Sequence, residues 1–186
     1  NAVGMGSQYP FVYLLSPAIA KTNSLTSGLS INYELLKGLT LSADAGYTNM
    51  QNTNDFFSPI AAQNPARSPL GSATFGRTRN NSWILEPQLR YTRFIGLGSL
   101  TVQVGGSLQT VYTSGLTITA SGYTNDELLR SISSAPSQMA SEGYSEYKYA
   151  AVFARINYNW DSKYILNINA RRDGSSRFAP GRQFGN

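Results

Sequence analysis

Residues 147–178 read YKYAAVFARINYNWDSKYILNINARRDGSSRF. Val152, Ala154, Ile156, Tyr158 and Trp160 alternate with Phe153, Arg155, Asn157 and Asn159. After Asp161-Ser162-Lys163, Leu166, Ile168 and Ala170 alternate with Asn167, Asn169 and Arg171. A repeat of two places successive side chains on opposite faces of a strand, which a helical repeat cannot do. Two strands about a short polar turn therefore form a hairpin with one oily face and one polar face. A soluble sandwich would turn the oily face inward. An outer-membrane barrel would turn it to lipid, keep the polar face in a wet lumen and place aromatics at both interfaces. Tyr158, Trp160 and Tyr164 crowd the turn, where such a girdle would sit, and a core-packed hairpin accommodates them as well.

The rest of the chain repeats the pattern and favours the membrane. Strands are expected at about 24–36, 39–49, 81–94, 100–118, 146–160 and 164–175, with outer loops at about 1–23, 50–80, 119–145 and 176–186. Lys37-Gly38 is a two-residue hairpin turn, because glycine supplies a positive φ. Short turns thus alternate with long loops rich in Asn, Pro, Ser and Gly. Such runs are unusual in a compact domain, whereas barrels have short periplasmic turns and long extracellular loops. Tyr33, Tyr91, Phe94, Tyr158, Trp160 and Tyr164 fall at the short-turn ends, and Tyr47, Trp83 and Tyr112 at the long-loop ends. Glu34, Asp44, Glu86, Arg90, Arg155, Arg171 and Asp173 all have polar-face parity. Arg172 has lipid parity, but eight residues along its strand is about 20 Å of rise, near the outer headgroups. The expected fold is all-β: an antiparallel transmembrane barrel of which this chain holds about six strands. Six strands cannot close such a barrel, and an open edge in hydrocarbon costs several kcal/mol per unpaired backbone group.

Composition narrows the chemistry. The 186 residues include no Cys and no His, which excludes disulfides, thiolate sites and histidine acid–base catalysis. No residue set implies a catalytic centre, a metal site or a cofactor. Asp126-Glu127 lack the ligand spacing of a calcium loop. Glu34 with Asp44 or Glu86 as a hydrolytic pair would need a pocket and a raised pKa, which wall residues of an alternating strand do not supply. The net charge of +5 is scattered, without the clustered cations and stacking aromatics of a nucleic-acid surface.

Three blocks carry a resemblance. They are Asn32-Tyr33-Glu34-Leu35-Leu36-Lys37-Gly38-Leu39-Thr40, Asn80-Asn81-Ser82-Trp83, and the hairpin ending in Arg171-Arg172-Asp173-Gly174-Ser175-Ser176-Arg177-Phe178. In order and spacing they resemble the barrel of SusC/RagA-type TonB-dependent outer-membrane transporters. The resemblance spans nearly the whole chain. It implies a section of a roughly 22-stranded barrel in the bacterial outer membrane, with signal peptide, plug and remaining strands outside this sequence. It further implies uptake of oligosaccharides, peptides or similar nutrients, energised through TonB by way of the missing N-terminal part. A SusD-like surface lipoprotein lid and outer-membrane lipid are the implied partners. The rivals are a passive porin or secretion-associated channel and, from another class, a secreted carbohydrate-binding β-sandwich.

The polar-face charges are expected as hydrated wall residues, with plug or substrate contact as the alternatives. Asp173-Gly174-Ser175-Ser176 suits a turn or bulge, so Arg171, Asp173, Gly174, Ser175, Ser176, Arg177 and Phe178 are expected to form a structural motif at the outer rim. Phe56, Phe57 and Tyr123 lie in expected outer loops, where aromatic rings would stack on sugars or grip peptides, or else pack among themselves.

Overall fold

The computed structural model describes residues 12–177 and 184–185. Six long strands form one sheet in sequence order: β1 (Ala18–Leu36), β2 (Leu39–Ser58), β3 (Gly71–Ile95), β4 (Gly98–Tyr123), β5 (Ser137–Trp160) and β6 (Tyr164–Ser175). A two-residue strand, β7 (Phe184–Gly185), pairs antiparallel with Asp173 and Gly174. The only helical segments among the described residues are one α-turn, Val12–Leu15, and four short 3-10 segments within the two long connections. The β5–β6 register runs from Trp160↔Tyr164 through Ile156↔Ile168 to Tyr149↔Ser175, so the alternation of residues 147–178 is that of a hairpin.

The strands are longer than the sequence alternation predicts. Of the expected outer loop 50–80, residues 50–58 and 71–80 are strand, and of 119–145, residues 119–123 and 137–145 are strand. β1 begins at Ala18, inside expected loop 1–23, and β7 falls inside expected loop 176–186. The reason is chemical. Backbone ladders do not require an oily face, and stretches such as SQMASEGYSE of β5 are exposed on both faces. They carry no apolar alternation to be read.

The chain forms two compact units. The first comprises residues 1–23, 50–79 and 113–144; the second comprises 24–49, 80–112 and 145–186. In the first unit, Phe57, Ala73, Phe75, Ala120, Tyr123, Leu129 and Ala135 form a buried cluster, with Ile118 and Ile132 against it. Phe57 meets Phe75 edge-on, with ring centroids 5.8 Å apart. Asp126 ties the two long connections together: its carboxylate accepts from the Ile60 N–H at 2.6 Å and the Ala61 N–H at 3.1 Å.

Among the described residues the second unit has no comparable cluster, and many of its oily residues are bare. Leu29 is 59% exposed, Val104 46% and Ile156 38%. One sheet with an uncovered apolar face is not a sandwich, in which those three residues would share a dry interior. β1 is exposed along its whole length and β6 along its first nine residues, as expected of the two edges of a sheet that is not closed.

The hairpin turns are tightly built. Gly38 has φ +81°, and its carbonyl accepts from the Thr92 N–H at 2.7 Å. A Cβ there would lie 2.3 Å from the Thr92 carbonyl oxygen. Gly38→Ala combines left-handed strain with a backbone clash, so we expect it to lower the yield of folded protein in the outer membrane severalfold. Quantitative immunoblotting of washed membranes reads this. The neighbouring Lys37→Ala should leave the yield unchanged. Asp161 and Ser162 also take positive φ, and the Asp161 N–H donates to the Leu97 carbonyl at 3.2 Å, linking the β5–β6 turn to the β3–β4 turn.

Candidate functional site

The polar face of the second unit is a set of hydrogen bonds between neighbouring strands. Ser30 donates to Asp44 at 2.6 Å from β1 to β2. Gln103 donates to Gln88 at 2.7 Å, and Ser107 to Glu86 at 3.1 Å. On the β5–β6 hairpin, Arg155 donates to Asn169 at 2.9 Å and Asn157 to Asn167 at 2.6 Å. Glu34 accepts from the Gly38 N–H at 3.3 Å, and Arg90 is exposed on β3. Each expected polar-face residue therefore shares its side of the sheet with other polar groups. The opposite parity holds Leu29, Ile31, Val104, Leu108 and Ile156, all exposed.

Bulky groups also enter this face where glycine makes room. A Cβ on Gly105 would lie 2.5 Å from Phe153 Cζ, and one on Gly46 would lie 3.0 Å from Ile84.

The sharpest cluster is at the end of β6. Arg171 Nε donates to both carboxylate oxygens of Asp173, at 2.9 and 3.1 Å, and its Nη2 donates to the Tyr149 hydroxyl at 2.6 Å. That hydroxyl in turn donates to Asp173, closing a triangle. Tyr149 was not singled out from sequence, yet its signal was there: it has polar-face parity on β5 and lies one rung diagonal to Asp173. Beyond the triangle, the Ser176 N–H donates to the Lys148 carbonyl and the Lys148 N–H donates to Ser176 Oγ, both at 2.9 Å. Ser175 Oγ accepts from the Arg177 N–H at 3.2 Å, and the Arg177 guanidinium lies 4.7 Å over the Tyr147 ring. Gly174 is buried opposite Ala150. Phe178 lies outside the described residues.

The aromatic candidates of the outer loops need correction. Phe56 and Phe57 are in β2, and Tyr123 is the last residue of β4. Phe57 is 6% exposed and Tyr123 1%, so neither ring can stack on a sugar or grip a peptide. They pack beneath the protein's own connections, because an extension bathed in water must cover its apolar groups itself. Tyr123 donates to the Ser131 carbonyl at 2.9 Å, and burial raises its phenol pKa above the ordinary value. Phe56 remains exposed. Among the described residues no group of His, Cys, Asp or Glu side chains could hold a metal ion.

No protein-family model matches the chain. It is 28% identical over 166 residues to TonB-dependent receptor P3 of Formosa agariphila, covering 88% of this chain and 16% of that protein. It is 32% identical over 113 residues to TonB-dependent receptor P26 of the same organism, covering 59% of this chain and 11% of that one. Its fold matches the RagAB peptide transporter with a TM-score of 0.86 at 22% identity, over 95% of this chain and 20% of that one. These likenesses support the resemblance of the chain to a barrel section of the SusC/RagA-type TonB-dependent transporters. A more distant match is the siderophore receptor PiuA of Acinetobacter baumannii, with a TM-score of 0.51 at 14% identity over 84% of this chain and 26% of that one. The relatives and the matched structures are outer-membrane proteins, and barrels of that kind turn the apolar face to lipid and the polar face to the bore. The chain thus spans about a sixth to a fifth of the relatives it matches.

Proposed function

We propose that this chain is a wall section of an importer that carries oligosaccharides, peptides or similar nutrients across the outer membrane. The observation that carries the reading is the contrast between the units. One buries its own apolar cluster, whereas the other leaves its apolar face bare beside a mostly polar opposite face. TonB-dependent receptors among its relatives, and a peptide transporter with the same fold, support active import over passive diffusion. In this reading energy reaches the barrel through TonB by way of parts of the protein outside this chain, and a SusD-like lipoprotein closes the outer mouth. Glu34, Asp44, Glu86, Arg90 and Arg155 line the bore beside a plug, with Asp44, Glu86 and Arg155 held by neighbours on adjacent strands. The triangle of Tyr149, Arg171 and Asp173 stiffens the outer rim. The protein's work here is transport, not bond chemistry.

The test uses the full-length protein in its own cells, with labelled oligosaccharide and peptide pools. Uptake that vanishes on deletion of the gene and also on loss of TonB is the expected result. Uptake that persists without TonB would make the barrel a passive channel and overturn the reading.

A further inference from the structure

Strand β5 outruns its neighbour. Its pairing with β6 ends at Tyr149↔Ser175, and one further bond runs from the Ser176 N–H to the Lys148 carbonyl. β5 itself begins at Ser137. Among the described residues, the segment 137–143 therefore has a strand neighbour on the β4 side and none on the other. β7 does not fill the place, because it pairs with Asp173 and Gly174 on the far side of β6. The segment is exposed on both faces.

The bare edge has a defined chemistry. Lys148 turns its carbonyl to the β6 side. Backbone groups alternate along a ladder, so Gln138, Ala140 and Glu142 turn their N–H and C=O the same way. Native proteins blunt such an edge with proline, lysine or an early stop. Residues 137–143 read SQMASEG, with no proline and no cation, over about 24 Å of strand. Their one charge is Glu142, which has no ion partner among the described residues.

We propose that this edge takes up an extended peptide as an added strand, basic where it passes Glu142. The edge presents N–H and C=O groups at every second residue, and another extended backbone answers them in register. The hydroxyls of an oligosaccharide have no such repeat. Charge favours a basic occupant, since opposite charges on neighbouring strands attract. A second copy of the segment would bring a carboxylate and no cation. A permanent protein partner would bury an apolar centre, and Met139 and Ala140 are the only apolar side chains here. An edge held mainly by backbone bonds suits cargo that must leave again. The inference deepens the import reading, on which its choice of cargo rests.

The experiment uses purified full-length transporter in mild detergent and a labelled heptapeptide of alternating lysine and threonine, with binding read by fluorescence anisotropy. Ala140→Pro removes one outward N–H and leaves the β4 side paired, a change that edge strands tolerate. It should weaken binding at least tenfold, with heat-modifiable gel mobility verifying that the variant is folded. The same peptide N-methylated at every residue keeps its charges but loses its donors, and should also bind at least tenfold more weakly. Glu142→Gln should cost about two- to fivefold and leave binding of an uncharged serine–threonine peptide as it was. Hydrogen exchange at residues 138–142 should be fast in the free transporter and slow once peptide is added. Equal binding by folded Ala140→Pro, or by the N-methylated peptide, overturns the proposal. So does slow exchange in the free transporter, which would mean that another part of the protein already occupies the edge. Peptide binding of this kind by a transporter whose uptake persists without TonB would strike the import reading and leave the edge standing.

Discussion

Ile156→Lys should nearly abolish folded barrel in the outer membrane, whereas Asn157→Lys, one residue away, should assemble as the wild type does. Ile156 lies on the exposed apolar face opposite Ile168, four residues from the aromatic pair at the turn. Four tilted residues rise about 10 Å, which is close to the midplane of a ~25 Å apolar band. A lysine there costs about 2–4 kcal/mol, or roughly 30- to 900-fold in an assembly equilibrium. Ile31→Lys and Val104→Lys, at similar distances from their turns, should behave alike. Asn157 faces the wet side, where its amide donates to Asn167 at 2.6 Å. A lysine in its place meets water and other polar groups, and Asn32→Lys is expected to be equally mild. Pulse-chase assembly followed by heat-modifiable mobility separates the two sets. If both sets assembled equally, the two faces would be wrongly assigned.

Phe57→Ala should open the first unit without dissolving the membrane wall. Phe57 is buried against Phe75 in the cluster that also holds Tyr123 and Leu129. Truncating a buried phenylalanine costs about 3–5 kcal/mol through lost burial and the cavity left behind. That is comparable with the total stability of a small unit. The connection at 124–136 packs into this cluster through Leu129, Ile132 and Ala135, and Asp126 holds the connection at 59–70 to it. Protease added to intact cells should therefore cut these connections at least tenfold faster in the variant, because cleavage follows the open population. Heat-modifiable mobility should be unchanged. The exposed neighbour Phe56 is the control: Phe56→Ala should leave protease resistance as it is. Loss of the whole barrel in Phe57→Ala would mean that the cluster supports assembly as well as the outer unit.

The alternation of oily and polar residues was enough to place six strands and three short turns. This holds because a strand has only two faces, so each residue's medium follows from its position parity. The ends of the strands were not legible. Residues 137–145 continue the ladder with side chains exposed on either face, and backbone pairing leaves no mark in such a sequence. Tyr149 could have been read by diagonal pairing with Asp173, but only with the β5–β6 register in hand.

The amino-acid sequence by itself determined which residues share each face of the sheet, because that partition is local and repeats every second residue. Tertiary structure alone decided that Phe57 and Tyr123 are core and not contact surface, that Asp126 fastens two distant connections, and that Arg171, Asp173 and Tyr149 close on one another. These depend on which segments fold back over which, and contacts between residues far apart in the chain have no period to betray them.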